Sequence, residues 1–392
     1  TGVQTCALPI CWKSEEEFTM KTSKRLWVKY VMLVMLCIPA CSKTKEVKRG
    51  RVAHAEWDTS LAEIAKGTFF EDTDIGSIME SITLPGIQRV EWNSDGTKFV
   101  VSGEKGTAFC SSLRTRDCRG FRKGATLLTG FEKIFVKTAI SKYQIYSIGN
   151  KLEPTDKYVD ICRRSGMLDY YIKDDELFFL CVDIDSRVVT IQKPGSSKNI
   201  GVLDVGSKED KNNTHLEDGY YLRDSCFFGS IERIVTVQNS KYRAAVWDLK
   251  KRKRLSVLPN DKKYWIYAEC HGASNSVALF GMKTVTIAKY TKEKLRILEE
   301  YKSKREFTSK VRFLPCKKKK RVAILQVDAS VDGDDRDVWT DIIIWDYGEN
   351  KIVAKKKLNG MGNTLSLHPK KNLMAVDNYQ KLYVLRVHNM CN

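Results

Sequence analysis

The stretch Arg89–Gly103, RVEWNSDGTKFVVSG, decides the fold. On either side of NSDG the apolar residues alternate or cluster in short runs, the pattern of two strands around a tight turn rather than of a helix. Asn and Asp tolerate a left-handed backbone and hydrogen-bond their own turn, and Gly96 takes a positive φ without steric penalty. The same phrase returns, degraded, along the chain. Leu365–Val387 (LSLHPKKNLMAVDNYQKLYVLRV) reads strand, turn, strand, turn, strand, and Val311–Asp328 (VRFLPCKKKKRVAILQVD) starts alike with Pro315 at its turn. Leu168–Asp183, Phe227–Leu249 and Ala268–Tyr290 are further copies.

Two copies carry Trp-Asp where a third strand is expected to end, Trp247-Asp248 in AAVWDL and Trp345-Asp346 in IIIWDY. Together with the opening VEWNSDGTKFVVSG, this recurrence resembles WD40-type β-propellers, whose repeats of about 40–45 residues each form a blade of about four strands. The resemblance covers Arg89 to Val387 and implies an all-β fold, a β-propeller of about six to seven four-stranded blades. No Gly-His dipeptide opens the repeats, most lack Trp-Asp, and their spacing is uneven. Closing such a ring covers the apolar faces of each blade and spares its sheets long exposed edges. Family members commonly complete one blade with strands from both chain ends, and Gly50–Trp57 (GRVAHAEW) is the expected N-terminal contribution. A short helical pattern, TSLAEIAKG, follows, capped by Thr59 and stopped by Gly67.

Ahead of this domain, MKTSKRLWVKYVMLVMLCIPACSK begins at Met20. Lys21, Lys24, Arg25 and Lys29 form a basic head, Tyr30–Ile38 an apolar stretch, and Pro39–Cys41 a small-residue processing site, the three parts of an export signal. About a dozen apolar residues at 1.5 Å each cover roughly half of a hydrocarbon core, so the stretch is too short to span one. Ile38-Pro39-Ala40-Cys41 resembles the bacterial lipobox, with Pro39 an unusual occupant of its position. The resemblance implies that Cys41 is acylated and anchors the chain, and Ser42 after it implies sorting to the outer membrane where the organism has one. The expected organisation is an artefactual extension over 1–19 that resembles translated sequencing-adapter read-through, a lipoprotein signal peptide over 20–40, a lipidated tether over 41–49 and a propeller domain over 50–392.

The chain has 392 residues, 42% of them hydrophobic, enough for a sizeable core and too many for global disorder. Its formal net charge of +19 is concentrated in Lys250–Arg254 (KKRKR) and Lys317–Arg321 (KKKKR). Both runs sit between strand patterns, where lysine keeps a turn solvated. They also suit contact with an anionic surface, lipid head groups or acidic polymer, more than nucleic acid. Setting aside Cys6, Cys11, Cys37 and Cys41 leaves Cys110, Cys118, Cys162, Cys181, Cys226, Cys270, Cys316 and Cys391. In an exported protein that even set allows disulfides without specifying their pairing. Cys110 and Cys118 in CSSLRTRDC are the local candidate, facing each other across a turn near Arg114–Asp117. No CxxC or Cys/His cluster has zinc spacing.

The histidines are scattered over different repeats, and His368 in LHP reads as a structural turn residue. Phosphate-cradling glycine loops and Gly-x-Ser-x-Gly are absent from the sequence. In DASVDGDDRDVW, Asp328, Ser330 and Asp332 alternate before Gly333 as in a calcium loop, but Trp339 stands where the closing Glu belongs, and a solvated hairpin loop accounts for the same residues. Trp265, Tyr220 and Tyr221 suit either a binding face or packing between blades. No cofactor is implied. The expected function is a lipid-anchored, extracytoplasmic β-propeller that binds or scaffolds protein partners at the bacterial cell envelope without catalysis. Two rivals stand beside it: a propeller hydrolase, lyase or dehydrogenase acting on envelope polymer, and a cytoplasmic WD-repeat scaffold. The enzyme reading requires carboxylates or histidines from several blades to meet at the central channel with perturbed pKa values.

Overall fold

The computed structural model describes residues 78–392 except 84–86, 104–105, 111–117, 122–124, 129–132, 138–141, 149–151, 163–165, 174–175, 184–187, 195, 197–198, 205–221, 239–243, 259–264, 330–337, 380, 388–389 and 392. The expected signal, Cys41, its tether, the Gly50–Trp57 strand and the Thr59–Gly67 helix lie outside the described residues.

β1 (Ile78–Thr83) waits for the end of the chain to find its sheet. Blade I follows as β2 (Ile87–Trp92), β3 (Phe99–Gly103), β4 (Gly106–Cys110) and β5 (Cys118–Phe121). Blade II is β6 (Ala125–Leu128), β7 (Lys133–Lys137), β8 (Lys142–Ile148) and β9 (Leu152–Asp160). Blade III is β10 (Gly166–Lys173), β11 (Glu176–Asp183), β12 (Val188–Gln192) and β13 (Asn199–Asp204). Blade IV is β14 (Leu222–Ser230), β15 (Arg233–Gln238), β16 (Ala244–Asp248) and β17 (Lys253–Leu258). In each, the strands pair antiparallel in chain order.

The next sheet is six-stranded, with β18 (Trp265–His271), β19 (Ser276–Thr291), β20 (Lys294–Phe313), β21 (Arg321–Ala329), β22 (Val338–Asp346) and β23 (Lys351–Asn359). Its two long strands double back. β19 pairs with β18 over Ser276–Gly281 and with β20 over Thr284–Thr291. Between those halves Lys283 has φ +58°, and Tyr290 N–H donates to Asn275 O at 2.9 Å, bringing the two halves side by side. β20 likewise serves β19 through Lys294–Lys302 and β21 through Phe307–Phe313. The sheet is therefore two four-stranded blades, V and VI, joined at the Met282–Phe307 pair. Blade VII is β24 (Leu365–Leu367), β25 (Leu373–Asp377) and β26 (Lys381–Arg386), with β1 as its outer strand. The N-terminal strand of the closing blade is thus Ile78–Thr83, where the sequence had pointed to Gly50–Trp57.

Neighbouring blades share apolar layers, which explains why the middle strands read as continuous apolar runs rather than alternating ones. Ile234 and Trp247 of blade IV face Phe178 and Leu180 of blade III, while Val235 and Val246 face Trp265 and Leu279 of blade V. Phe280 and Ile287 meet Ile324 and Trp345 between blades V and VI, and Ala323 and Ile342 meet Met374 and Val376 between VI and VII. Leu373 and Val384 of blade VII meet Trp92 and Phe99 of blade I. Phe135 and Val159 meet Phe179 between II and III, and β3 contacts β6 between I and II. The circuit is complete. Each large side chain buried this way contributes about 1.5–3 kcal/mol.

The turns follow their sequence. In NSDG, Asn93 Oδ1 accepts Lys98 N–H at 2.9 Å, Asp95 Oδ1 accepts Thr97 N–H at 2.7 Å, and Gly96 sits at φ +76°. Any Cβ on Gly96 would lie 2.1 Å from His368 Cε1, so the glycine also makes room for the turn of blade VII. Both Trp-Asp pairs end third strands. Trp247 Nε1 donates to Thr236 Oγ1 at 2.9 Å, and Asp248 accepts Lys251 N–H at 2.9 Å to fix the turn into β17. Asp346 accepts the N–H groups of Gly348 and Glu349 and pairs with buried Arg321 at 2.9 Å.

Candidate functional site in the central channel

Innermost strands of six blades (β2, β10, β14, β18, the second half of β20, and β24) line a cavity of about 610 Å³. Five of these strands share a device. The register slips between Ile87 and Arg89, Met167 and Asp169, Leu222 and Asp224, Trp265 and Tyr267, and Thr308 and Lys310. An extra residue in one strand re-aims the side chain that follows it. The residues re-aimed are Arg89, Asp169, Asp224, Tyr267 and Lys310, and two places on stand Glu91, Glu269 and Arg312. A belt of charge results.

Each innermost strand has an unpaired edge, and the belt satisfies part of it. Asp169 Oδ2 of blade III accepts Phe227 N–H of blade IV at 2.9 Å. Asp224 Oδ2 of blade IV accepts Ala268 N–H of blade V at the same distance, while its other oxygen accepts Ser225 N–H. Glu269 of blade V pairs with Arg312 of blade VI, whose Nε donates to Leu365 O of blade VII at 3.3 Å. Arg89 and Glu91 pair along β2. The belt therefore links blades III to VII in succession.

Enclosure by the ring shifts these groups although the channel keeps them partly wet, with Arg89 37% exposed. Burial pushes Asp224 up to about 7 and Asp169 up to about 6, against the backbone N–H groups that favour their charged forms. Burial also raises Glu91, opposed by Arg89. Lys310 is lowered to about 8, first by the charge of Arg312 and then by burial. Glu91 Oε2 and Ser225 Oγ are buried without a hydrogen-bond partner among the described residues. Carboxylates from several blades with shifted pKa values do meet at the axis, and Asp169, Asp224 and Glu269 are already engaged there in holding neighbours.

No family model matches the chain, and no curated protein matches its sequence. In three dimensions the β-propeller domain of Myceliophteria thermophila Cps50 (Swd1) is similar, with a TM-score of 0.59 at 10% identity, covering 79% of this chain and 99% of that one. The chain is a β-propeller. At such identity the likeness carries the fold alone, and propellers host many unrelated functions.

Of the residues singled out by sequence, Cys226 and Cys270 line the channel, while Trp265, Asp328 and His368 do not. Trp265 is fully buried between blades IV and V with Nε1 donating to Thr286 Oγ1 at 3.1 Å, so it packs rather than binds. Tyr220 and Tyr221 lie outside the described residues. Cys110 is disulfide-bonded, and the β4–β5 register sets it opposite Cys118. Cys162–Cys181, Cys226–Cys270 and Cys316–Cys391 are further disulfides. Asp328, next to last in β21, has its carboxylate paired to Arg305, while Ser330 and Asp332 fall outside the described residues. No cluster of possible metal ligands occurs among the described residues. His368 is buried, its Nδ1 accepting the N–H groups of Lys370 and Lys371 at 3.0 Å. Among the described residues no helix is long and apolar enough to cross a membrane. The channel belt escaped sequence reading because its members differ in type and stand far apart. Its one textual signal is a charged residue near the start of several strand phrases.

Proposed function

We propose that this propeller is a lipid-anchored, extracytoplasmic module that binds or scaffolds protein partners at a bacterial envelope without catalysis. The observation that carries the reading is the cysteine pairing. Cys226–Cys270 joins the innermost strands of blades IV and V, and Cys316–Cys391 ties the first turn of blade VI to the C-terminal end. Disulfides of this kind persist in oxidising compartments and are rare in reducing ones, which favours export over a cytoplasmic scaffold. The lipobox-like Ile38–Cys41 supplies the anchor. A rigid ring presenting loops from every blade around one axis suits a partner that touches many loops at once. Fractionation of cells tests the address: the wild type stays with membranes and Cys41→Ala is released, whereas a membrane-bound Cys41→Ala chain contradicts acylation at Cys41.

A second reading, an enzyme acting on envelope polymer, is favoured by Asp224 and Asp169, whose raised pKa values suit proton transfer near neutral pH. It predicts that purified chain releases fragments from envelope polymer and that Asp224→Asn abolishes the release. A wild type that binds polymer or partner without releasing anything leaves the binding module.

A further inference from the structure

In an antiparallel four-stranded blade, the turn from first to second strand and the turn from third to fourth lie at the same end of the sheet. Across neighbouring blades those ends form one face of the ring. Both basic runs fall on it: Lys250–Arg252 make the β16–β17 turn of blade IV, and Lys317–Lys320 lie in the β20–β21 turn of blade VI. Lys292, in the third turn of blade V, and Lys370–Lys371, in the first turn of blade VII, are exposed at the same end. The cations thus cover a continuous arc over blades IV to VII. Acidic residues in these turns are fewer, Glu232, Glu293 and Glu349, and Glu349 is already shared by Lys319 at 2.6 Å and Lys351 at 2.5 Å.

The polypeptide enters the ring at this same end. Ile78, the first residue of β1, pairs with Leu385 near the close of β26, and Thr83 pairs with Lys381 at its start. Third strands run toward the basic face, so β1 sets out from it. The Cys316–Cys391 disulfide marks that end as well. β1 therefore begins on the basic side, and 36 residues (42–77) separate it in sequence from Cys41.

We propose that the basic arc of blades IV to VII docks on an anionic lipid surface, leaving the opposite face and its loops turned away for a partner. The inference rests on the envelope reading for its orientation and supplies the surface that reading lacks. Clustered cations at a surface gain from anionic head groups, and salt screens that gain. Solvated turns alone would need no such alignment with the entry point.

Co-sedimentation of the full chain carrying Cys41→Ser, which removes any acyl contribution, tests it with two kinds of vesicle. One is phosphatidylcholine alone; the other contains about a third phosphatidylglycerol. Binding is expected to the anionic vesicles only, weakening as salt rises from low to physiological. Reversing Lys317, Lys318 and Lys251 to Glu is expected to weaken it about tenfold or more. Lys302→Glu, at the opposite end of blade V, is expected to leave it unchanged, and circular dichroism verifies that each variant folds. Equal binding to neutral vesicles, or indifference to the triple reversal, overturns the proposal. So does tighter binding of a short DNA duplex that displaces the vesicles, which would make the arc a nucleic-acid surface. Headgroup-selective binding by a chain whose Cys41 is unmodified in cells keeps the docking face and removes the anchor. An acylated Cys41 on a chain indifferent to headgroup charge removes the docking face alone.

Discussion

Between blades IV and V, Val235 and Val246 meet Trp265, Leu279 and Ala288 across an apolar layer. Nearer the axis the same two blades are joined by Asp224 accepting Ala268 N–H and by the Cys226–Cys270 disulfide. The apolar layer is non-directional, and many residue combinations fill it. The strut at the axis is directional, because one oxygen meets one edge N–H. The layers thus supply most of the stability, and the belt aligns each innermost strand with the next. Layer and belt can be broken separately.

The largest expected effect comes from the layer. Trp265→Ala removes a fully buried ring and its Nε1 hydrogen bond to Thr286 Oγ1, and its cost is about 3–5 kcal/mol in denaturant unfolding. Next comes the disulfide that ties blade VI to the residues after β26. Replacing Cys316 and Cys391 together by serine costs about 2–5 kcal/mol, read as a lower thermal midpoint that reducing agent no longer changes at that site. Gly96→Ala follows, since the new methyl group meets the His368 ring and the backbone stands at φ +76°; a loss of about 1–3 kcal/mol is expected, recovered in part by a smaller residue at 368.

The belt shows itself through pH more than through size. Asp224 and Asp169 are held at about 7 and about 6, above their ordinary 3.8. Between about pH 4 and 7 the folded chain keeps protons that the unfolded chain has released, so stability falls as pH rises through that window. Asp224→Asn keeps an acceptor for Ala268 N–H and removes the titration. Its thermal midpoint is expected to vary less with pH above 6 than that of the wild type. Smallest of all is the exposed Lys193–Glu176 pair on blade III, whose removal changes stability by less than about 1 kcal/mol.

This contrast also explains what could be read from the sequence. NSDG announced its turn because Asn93, Asp95 and Gly96 act through their own backbone, and local chemistry leaves local text. Trp247-Asp248 and Trp345-Asp346 were legible for a similar reason, each Asp holding the turn just after it. The hairpin inside β19 was not, because Met282–Lys283 carries no Gly or Asn although Lys283 takes a positive φ. The closing strand was misplaced because IMESIT and GRVAHAEW are both short strand-like runs, and only pairing with β26 distinguishes them. Trp265 left packing and binding open, since a large aromatic suits both, and burial decided for packing. The belt left only charged residues near the starts of strand phrases, because it is built from register slips, which depend on the partner strand.

The most direct test of the account is mass spectrometry of the mature protein isolated from cells under non-reducing conditions. The expected result is a chain beginning at an acylated Cys41, with cross-linked peptides joining Cys162 to Cys181, Cys226 to Cys270 and Cys316 to Cys391. Free thiols at these six positions, on a chain retaining residues 20–40, would contradict it.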